Sequence, residues 1–144
     1  MSTSENRYKC IGLLLLRVGL GLSLFFAHGW GKISGGMEKW EKIGGYGMGW
    51  TGIDFGHVYF GAFASVSESI FALMVAIGLR TRSAAACVAA TMFMALMMHL
   101  TGGDSFGKAS HALELCVAFS AIALIGPGRL SLDHWCATRC SKAG

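Results

Sequence analysis

Four apolar stretches, residues 11–27, 58–79, 83–100 and 109–125, constrain this chain more than any other feature. Each approaches the ~20 residues that a helix needs to cross a hydrocarbon core. Between them charge is scarce: 14% of the 144 residues are Asp, Glu, Lys or Arg, against about 25% in an average soluble domain. A water-facing surface cannot be assembled from so few. The same arithmetic excludes a disordered chain, which needs low hydrophobicity, and a nucleic-acid binder, which needs a basic stripe. The reading is all-α: a single 144-residue membrane domain, a four-helix bundle in contact with the lipid bilayer, with no nucleic-acid partner.

Four spans put the N-terminus, the 80–82 turn and the C-terminal tail on one side. That side holds Arg7, Lys9, Arg80, Arg82, Arg129, Arg139 and Lys142; the other holds Lys32, Lys39, Lys42 and Lys108. The positive-inside rule then places both termini in the cytoplasm. Arg17 interrupts the first apolar run and no small-residue cleavage site follows, so that run is read as a retained helix rather than a signal peptide. Residues 28–57 form a long outer loop with ten Gly, three Trp and a short amphipathic stretch, MEKWEKI at 37–43. It is either an interfacial flap or a lid over an outer pocket. Gly126-Pro127-Gly128 stops the fourth helix, and Ser131 is placed to cap a short surface helix.

Arg17, Glu68 and Glu114 lie inside the spans, where each costs roughly 2.5 to 3.5 kcal/mol at a helix centre and demands compensation. At a rise of ~1.5 Å per residue, Glu68 and Glu114 both lie ~16 Å from the terminal-side ends of their helices. The fork of Arg17 could then join both carboxylates in one buried cluster, one carboxyl keeping a proton. This is either a catalytic proton-handling group or an ion-pair clamp, with Ser65, Ser67, Ser69 and Ser110 as hydrogen-bonding glue. His28, His57, His99 and His111 all fall toward the outer end. They suit a proton relay or the carbonyl oxygens of a quinone, with Phe25, Phe26, Phe60, Phe63 and Phe71 supplying an apolar slot. The alternative is a metal site on those four histidines with Met92, Met94, Met97 and Met98, although no HxH or HxxxH pair fixes two ligands locally. The five Cys form no CxxC and read as reduced thiols, Cys136 and Cys140 in the tail.

The order of Arg17, His28-Gly29-Trp30-Gly31-Lys32, Glu68, Gly78-Leu79-Arg80-Thr81-Arg82 and GPGRLSLD at 126–133 resembles the DoxX family. That resemblance implies a multi-pass protein of the bacterial inner membrane linked to redox metabolism. One relative forms part of a thiosulfate:quinone oxidoreductase, and others accompany oxidative-stress enzymes. The family's His-Gly-x-x-Lys corresponds to His28, Gly29 and Lys32, and its acidic helix-two residue to Glu68. The long first outer loop and the Cys-bearing tail depart from the family pattern. No GxGxxG, haem CxxCH or P-loop is present, so no tightly bound cofactor is expected. The expected function is that of a subunit in quinone-linked or oxidative-stress metabolism, beside a redox partner protein or as a homo-oligomer. Glu68, Glu114 and Arg17 are the catalytic candidates, and His28, His111 and Lys32 the ligand-binding ones. The alternatives are a non-enzymatic metal or proton handler and a structural assembly subunit.

Overall fold

The computed structural model describes residues 3–140, with side chains from Arg7 to Arg139; Lys142 and the Cys140 side chain lie outside the described residues. Helix α1 runs over residues 3–33 as an α-helix Thr3–Leu24, a π-turn Phe25–Gly29 and a last α-helical turn Trp30–Ile33. Helix α2, Gly36–Met48, leads through a 3-10 turn, Gly49–Thr51, to α3, His57–Ile77, which carries its own π-turn at Ser67–Phe71. Helices α4, Thr81–Thr101, and α5, Phe106–Ile125, form a hairpin, and α6, Leu132–Cys140, closes the chain. No strand occurs among the described residues. Four helices, Arg7–Ile33, His57–Ile77, Thr81–Thr101 and Phe106–Ile125, are long and apolar enough to cross a membrane.

The spans therefore stand where the apolar runs put them, with two differences. The first helix continues through His28-Gly29-Trp30-Gly31-Lys32, which sequence reasoning reads as a turn. In lipid every backbone amide must find a partner inside the segment, so interior Gly, costly in water, does not end a helix there. The long outer loop is likewise mostly helix. Helix α2 packs along the first half of α3, and Gly makes that approach possible. A Cβ on Gly44 would lie 1.8 Å from the His57 carbonyl oxygen, and one on Gly61 1.7 Å from that of Trp40. No side chain fits either place.

The core is built from small and medium side chains. Leu24 of α1, Ala72 and Val75 of α3, Ala84, Ala85 and Val88 of α4, and Leu115, Phe119 and Ile122 of α5 are all buried. Such Ala-rich contacts let membrane helices approach closely, where packing rather than water exclusion drives association.

The termini-proximal end is fastened by a polar latch. Arg17, only 1% exposed, donates from Nη1 to the Pro127 carbonyl and from Nη2 to the Leu130 carbonyl at 2.5 Å. Asp133 accepts from the Arg80 amide at 2.7 Å, the Thr81 amide at 2.9 Å and the Thr81 hydroxyl at 2.8 Å. It thus caps α4 from 52 residues away. Ser131 Oγ accepts from the His134 amide and opens α6, as its position predicts.

Candidate functional site

A cavity of about 840 Å³ occupies the half of the bundle away from the termini. Every span contributes to its wall: Leu24, His28 and Lys32 from α1; Phe60, Phe63 and Glu68 from α3; Met92, Met98 and His99 from α4; His111 and Leu115 from α5. Helix α2 and the turn after it close one side with Ile43, Met48 and Trp50. Of the two readings of residues 28–57, the geometry is that of the lid over a pocket. Volume and apolar lining are those of a site for a small, largely apolar molecule.

The polar centre of the cavity is an ion pair. Lys32 Nζ lies 2.6 Å from each oxygen of the Glu68 carboxylate, with Glu68 3% exposed and Lys32 27% exposed. Two local features bring them together. His28 and Gly29 fall in the π-turn of α1, Glu68 in that of α3, and the two turns pack on each other. Such turns hold one residue more than an α-helical turn and are frequent at functional sites. Gly29 is required at the crossing, because a Cβ there would stand 2.2 Å from the Glu68 carbonyl oxygen. The end of α1 is then pinned by α2, whose Trp40 Nε1 donates to the Lys32 carbonyl at 3.0 Å and whose Lys39 Nζ donates to that of Gly31 at 2.5 Å. The Gly31 carbonyl is one that the helix end leaves open, whereas that of Lys32 also accepts from the Gly35 amide at 3.3 Å.

In the wall of the same cavity, the rings of His28 and His111 meet across α1 and α5 with centroids 5.7 Å apart. The other two outer histidines have different partners, although His99 lines the same cavity. His99 Nδ1 lies 2.9 Å from Asp104 Oδ2, and Lys108 donates to Asp104 Oδ1 at 2.9 Å, at the turn between α4 and α5. The Lys108 bond first, and that of His99 second, hold the Asp104 carboxyl below the usual carboxylate range. His57 is occupied with the Ile53 carbonyl, 3.3 Å from its Nε2. Among the described residues no three His, Cys, Asp or Glu side chains gather as a metal cluster would.

The expected cluster of Arg17, Glu68 and Glu114 does not form. Arg17 binds backbone carbonyls at the opposite end of the bundle. Pro127 keeps the chain from continuing α5, and the irregular segment that follows carries the Pro127 and Leu130 carbonyls outside any helix; a buried guanidinium satisfies them as well as it would a carboxylate. Glu68 takes Lys32 instead. Glu114 is exposed, is absent from the cavity wall, and has no ion pair or hydrogen bond among the described residues. The serines bond within their own helices, Ser65 to the Gly61 carbonyl, Ser69 to that of Ser65 and Ser110 to that of Gly107, while the buried Ser67 hydroxyl has no partner among the described residues. Phe60 and Phe63 do line the cavity; Phe25, Phe26 and Phe71 do not.

Sequence reasoning named Lys32 as ligand-binding but missed it as the partner of Glu68. The available signal was its i+4 spacing from His28, which puts both on one helical face once α1 is allowed to continue. The model of the family described as DoxX matches residues 12–100, which include Arg17, His28, Gly29, Lys32 and Glu68. The chain belongs to the DoxX family. No curated protein and no solved structure matches it. Membership of DoxX and four membrane-length apolar helices make it a multi-pass membrane protein. In this DoxX protein Glu114 and the closing 126–133 segment lie beyond the matched stretch.

Proposed function

We propose that this DoxX-family protein binds a lipid-soluble quinone in the cavity and serves, in a bacterial inner membrane, as a subunit of quinone-linked redox or oxidative-stress metabolism beside a redox partner protein. One observation carries the reading. A buried carboxylate, held by both oxygens to a lysine, stands in the wall of a largely apolar cavity that a pair of histidines also lines. The residues fit such a ligand: apolar walls for ring and tail, cationic and imidazole donors for carbonyl oxygens. A quinone supplies two-electron, two-proton chemistry when bound. The chain's own part is to hold and move protons. Lys32 orients the ligand and fixes the Glu68 carboxylate, Glu68 takes or gives the proton, and His28 with His111 position the head group. Arg17 supports this at a distance by fastening the bundle.

The test is purification of the full chain in native lipid particles, with extraction and quantification of quinone. About one quinone per chain is expected from the wild type, and a loss of most of it from Glu68→Gln and Lys32→Met. Recovery no higher than in the surrounding lipid overturns the reading. A second reading rests on Met92, Met94 and Met98, whose thioethers line the same cavity as His28 and His111; soft ligands of this kind take copper(I). Stoichiometric copper after growth with added copper, without quinone, puts that reading in place of the first.

A further inference from the structure

Glu114 presents a problem that the described residues do not solve. It is the ninth residue of the twenty in α5, which places it at mid-span. The other two ionisable residues deep in the spans are compensated, Arg17 by carbonyls and Glu68 by Lys32. Glu114 is exposed on the outside of the bundle, where hydrocarbon offers nothing to a carboxyl group.

Its surroundings form a pattern. The bundle-facing side of α5 is Ala109, Ala112, Leu115, Phe119 and Ile122, all buried. On the opposite side Gly107, Glu114 and Ala121 recur every seven residues, with Ser110, Val117 and Leu124 three residues after each; none of the six is buried. This is the spacing of positions a and d in a left-handed helix pair. Within the seam Gly107, Ser110 and Ala121 are small, and a Cβ added at Gly107 meets nothing within 4 Å. Small residues in such a seam let a second helix approach closely, and polar ones hydrogen-bond across it.

We infer that this face of α5 binds the same face of a second copy of this chain in a parallel two-fold dimer, with Glu114 bonded to Glu114 across the axis. Charge and depth select this occupant. Both copies insert in the same direction, so a two-fold axis along the membrane normal brings every residue opposite itself at its own depth. A carboxyl group is self-complementary, its O–H donating to an oxygen of the other carboxyl. No other charged side chain lies on the seam, so a matching copy needs nothing else. The inference is independent of the cavity and of what the cavity binds.

The test uses the full chain in phosphatidylethanolamine and phosphatidylglycerol vesicles, read by single-molecule photobleaching and by oxidative cross-linking of a Val117→Cys variant. The wild type is expected to bleach in two steps, and Val117→Cys to give a covalent dimer that the native cysteines alone do not give. Glu114→Leu is expected to weaken association about tenfold or more. Glu114→Gln is expected to retain it, because an amide both donates and accepts. One-step bleaching of the wild type overturns the inference, as does an undiminished dimer in Glu114→Leu. A Gln variant that falls as far as the Leu variant also overturns it, because it identifies a cation on a different partner as what Glu114 needs. Glu114 holds no partner among the described residues, so circular dichroism of all variants is expected to match the wild type.

Discussion

At the scale of single residues, the cavity depends on an ion pair that is unequal in its burial. Glu68 is almost wholly enclosed, whereas Lys32 reaches it from the end of α1. Removing the lysine alone leaves a buried carboxylate without a counter-charge, which costs about 3–5 kcal/mol, whereas replacing both partners by apolar residues costs far less. Unfolding of Lys32→Met, Glu68→Met and the double variant in mixed micelles is expected to show this, the double variant being more stable than Lys32→Met. Equal losses that simply add would show that the two side chains do not interact in the folded protein. The presence of these charges was legible from sequence; their partners were not. Lys32 was hidden because glycines on both sides of Trp30 read as a turn. The partners of Arg17 were hidden because a count of charged side chains does not include carbonyl groups, and it is the carbonyls near Pro127 that receive the guanidinium.

At the scale of elements, α2 is the piece whose position sequence reasoning left open between flap and lid. The run from Gly44 to Gly49 contains four glycines, too many for helix propensity alone to support. Contact with α3 overrides propensity, and Gly44 and Gly61 are where the contact is closest. Gly61→Ala drives a methyl group against the Trp40 carbonyl and is expected to lift α2. Hydrogen exchange would then show the amides of 36–48 losing protection while those of α4 and α5 keep theirs. At the other end the start of α4 depends on Asp133. Burial pushes its carboxyl up, but bonds from Thr81 and Arg80 and the charge of Arg17 outweigh burial and hold it below the usual carboxylate range. A carboxyl depressed in the folded state adds stability that is fully present above the unfolded value and is lost as pH falls through the folded one. Asp133→Asn is therefore expected to be less stable than wild type at neutral pH, by about 1–2 kcal/mol as for other lost caps. The two proteins should converge in denaturation midpoint below the carboxylate range. A gap that persists there would assign the loss to shape rather than charge. The GPGRLSLD segment could be recognised in sequence as a helix stop followed by a cap, but that its Asp serves a helix 52 residues earlier is a tertiary fact with no local trace.

For the whole molecule, direction in the bilayer follows from cations rather than from packing. Arg7, Arg80, Arg82, Arg129 and Arg139 lie at the end that holds the latch, so that end is expected on the cytoplasmic side and the cavity on the other. Cys136 is exposed there. A membrane-impermeant maleimide is expected to label it in inverted vesicles and not in intact cells, with a single-cysteine Cys136 variant removing ambiguity; the reverse pattern would invert the molecule. The four spans were legible because bilayer thickness fixes their length, which no tertiary contact alters. The two π-turns were not, since nothing in composition marks them. Their effect is easiest to state in units of the gene. Each takes one codon more than a plain α-helical turn and absorbs it within the turn, so the residues beyond keep a bearing that one extra residue in an unbroken helix would turn by about 100°. Deleting the codon for Ala27 should therefore restore a plain α-helix that leaves insertion, latch and core standing and Lys32 still facing the cavity, while the wide turn that carries His28 and Gly29 to the Glu68 crossing is lost. Four-helix frame and wide turn are thus separable by a change of one codon, so a lineage could lose or regain the turn without rebuilding the protein that carries it.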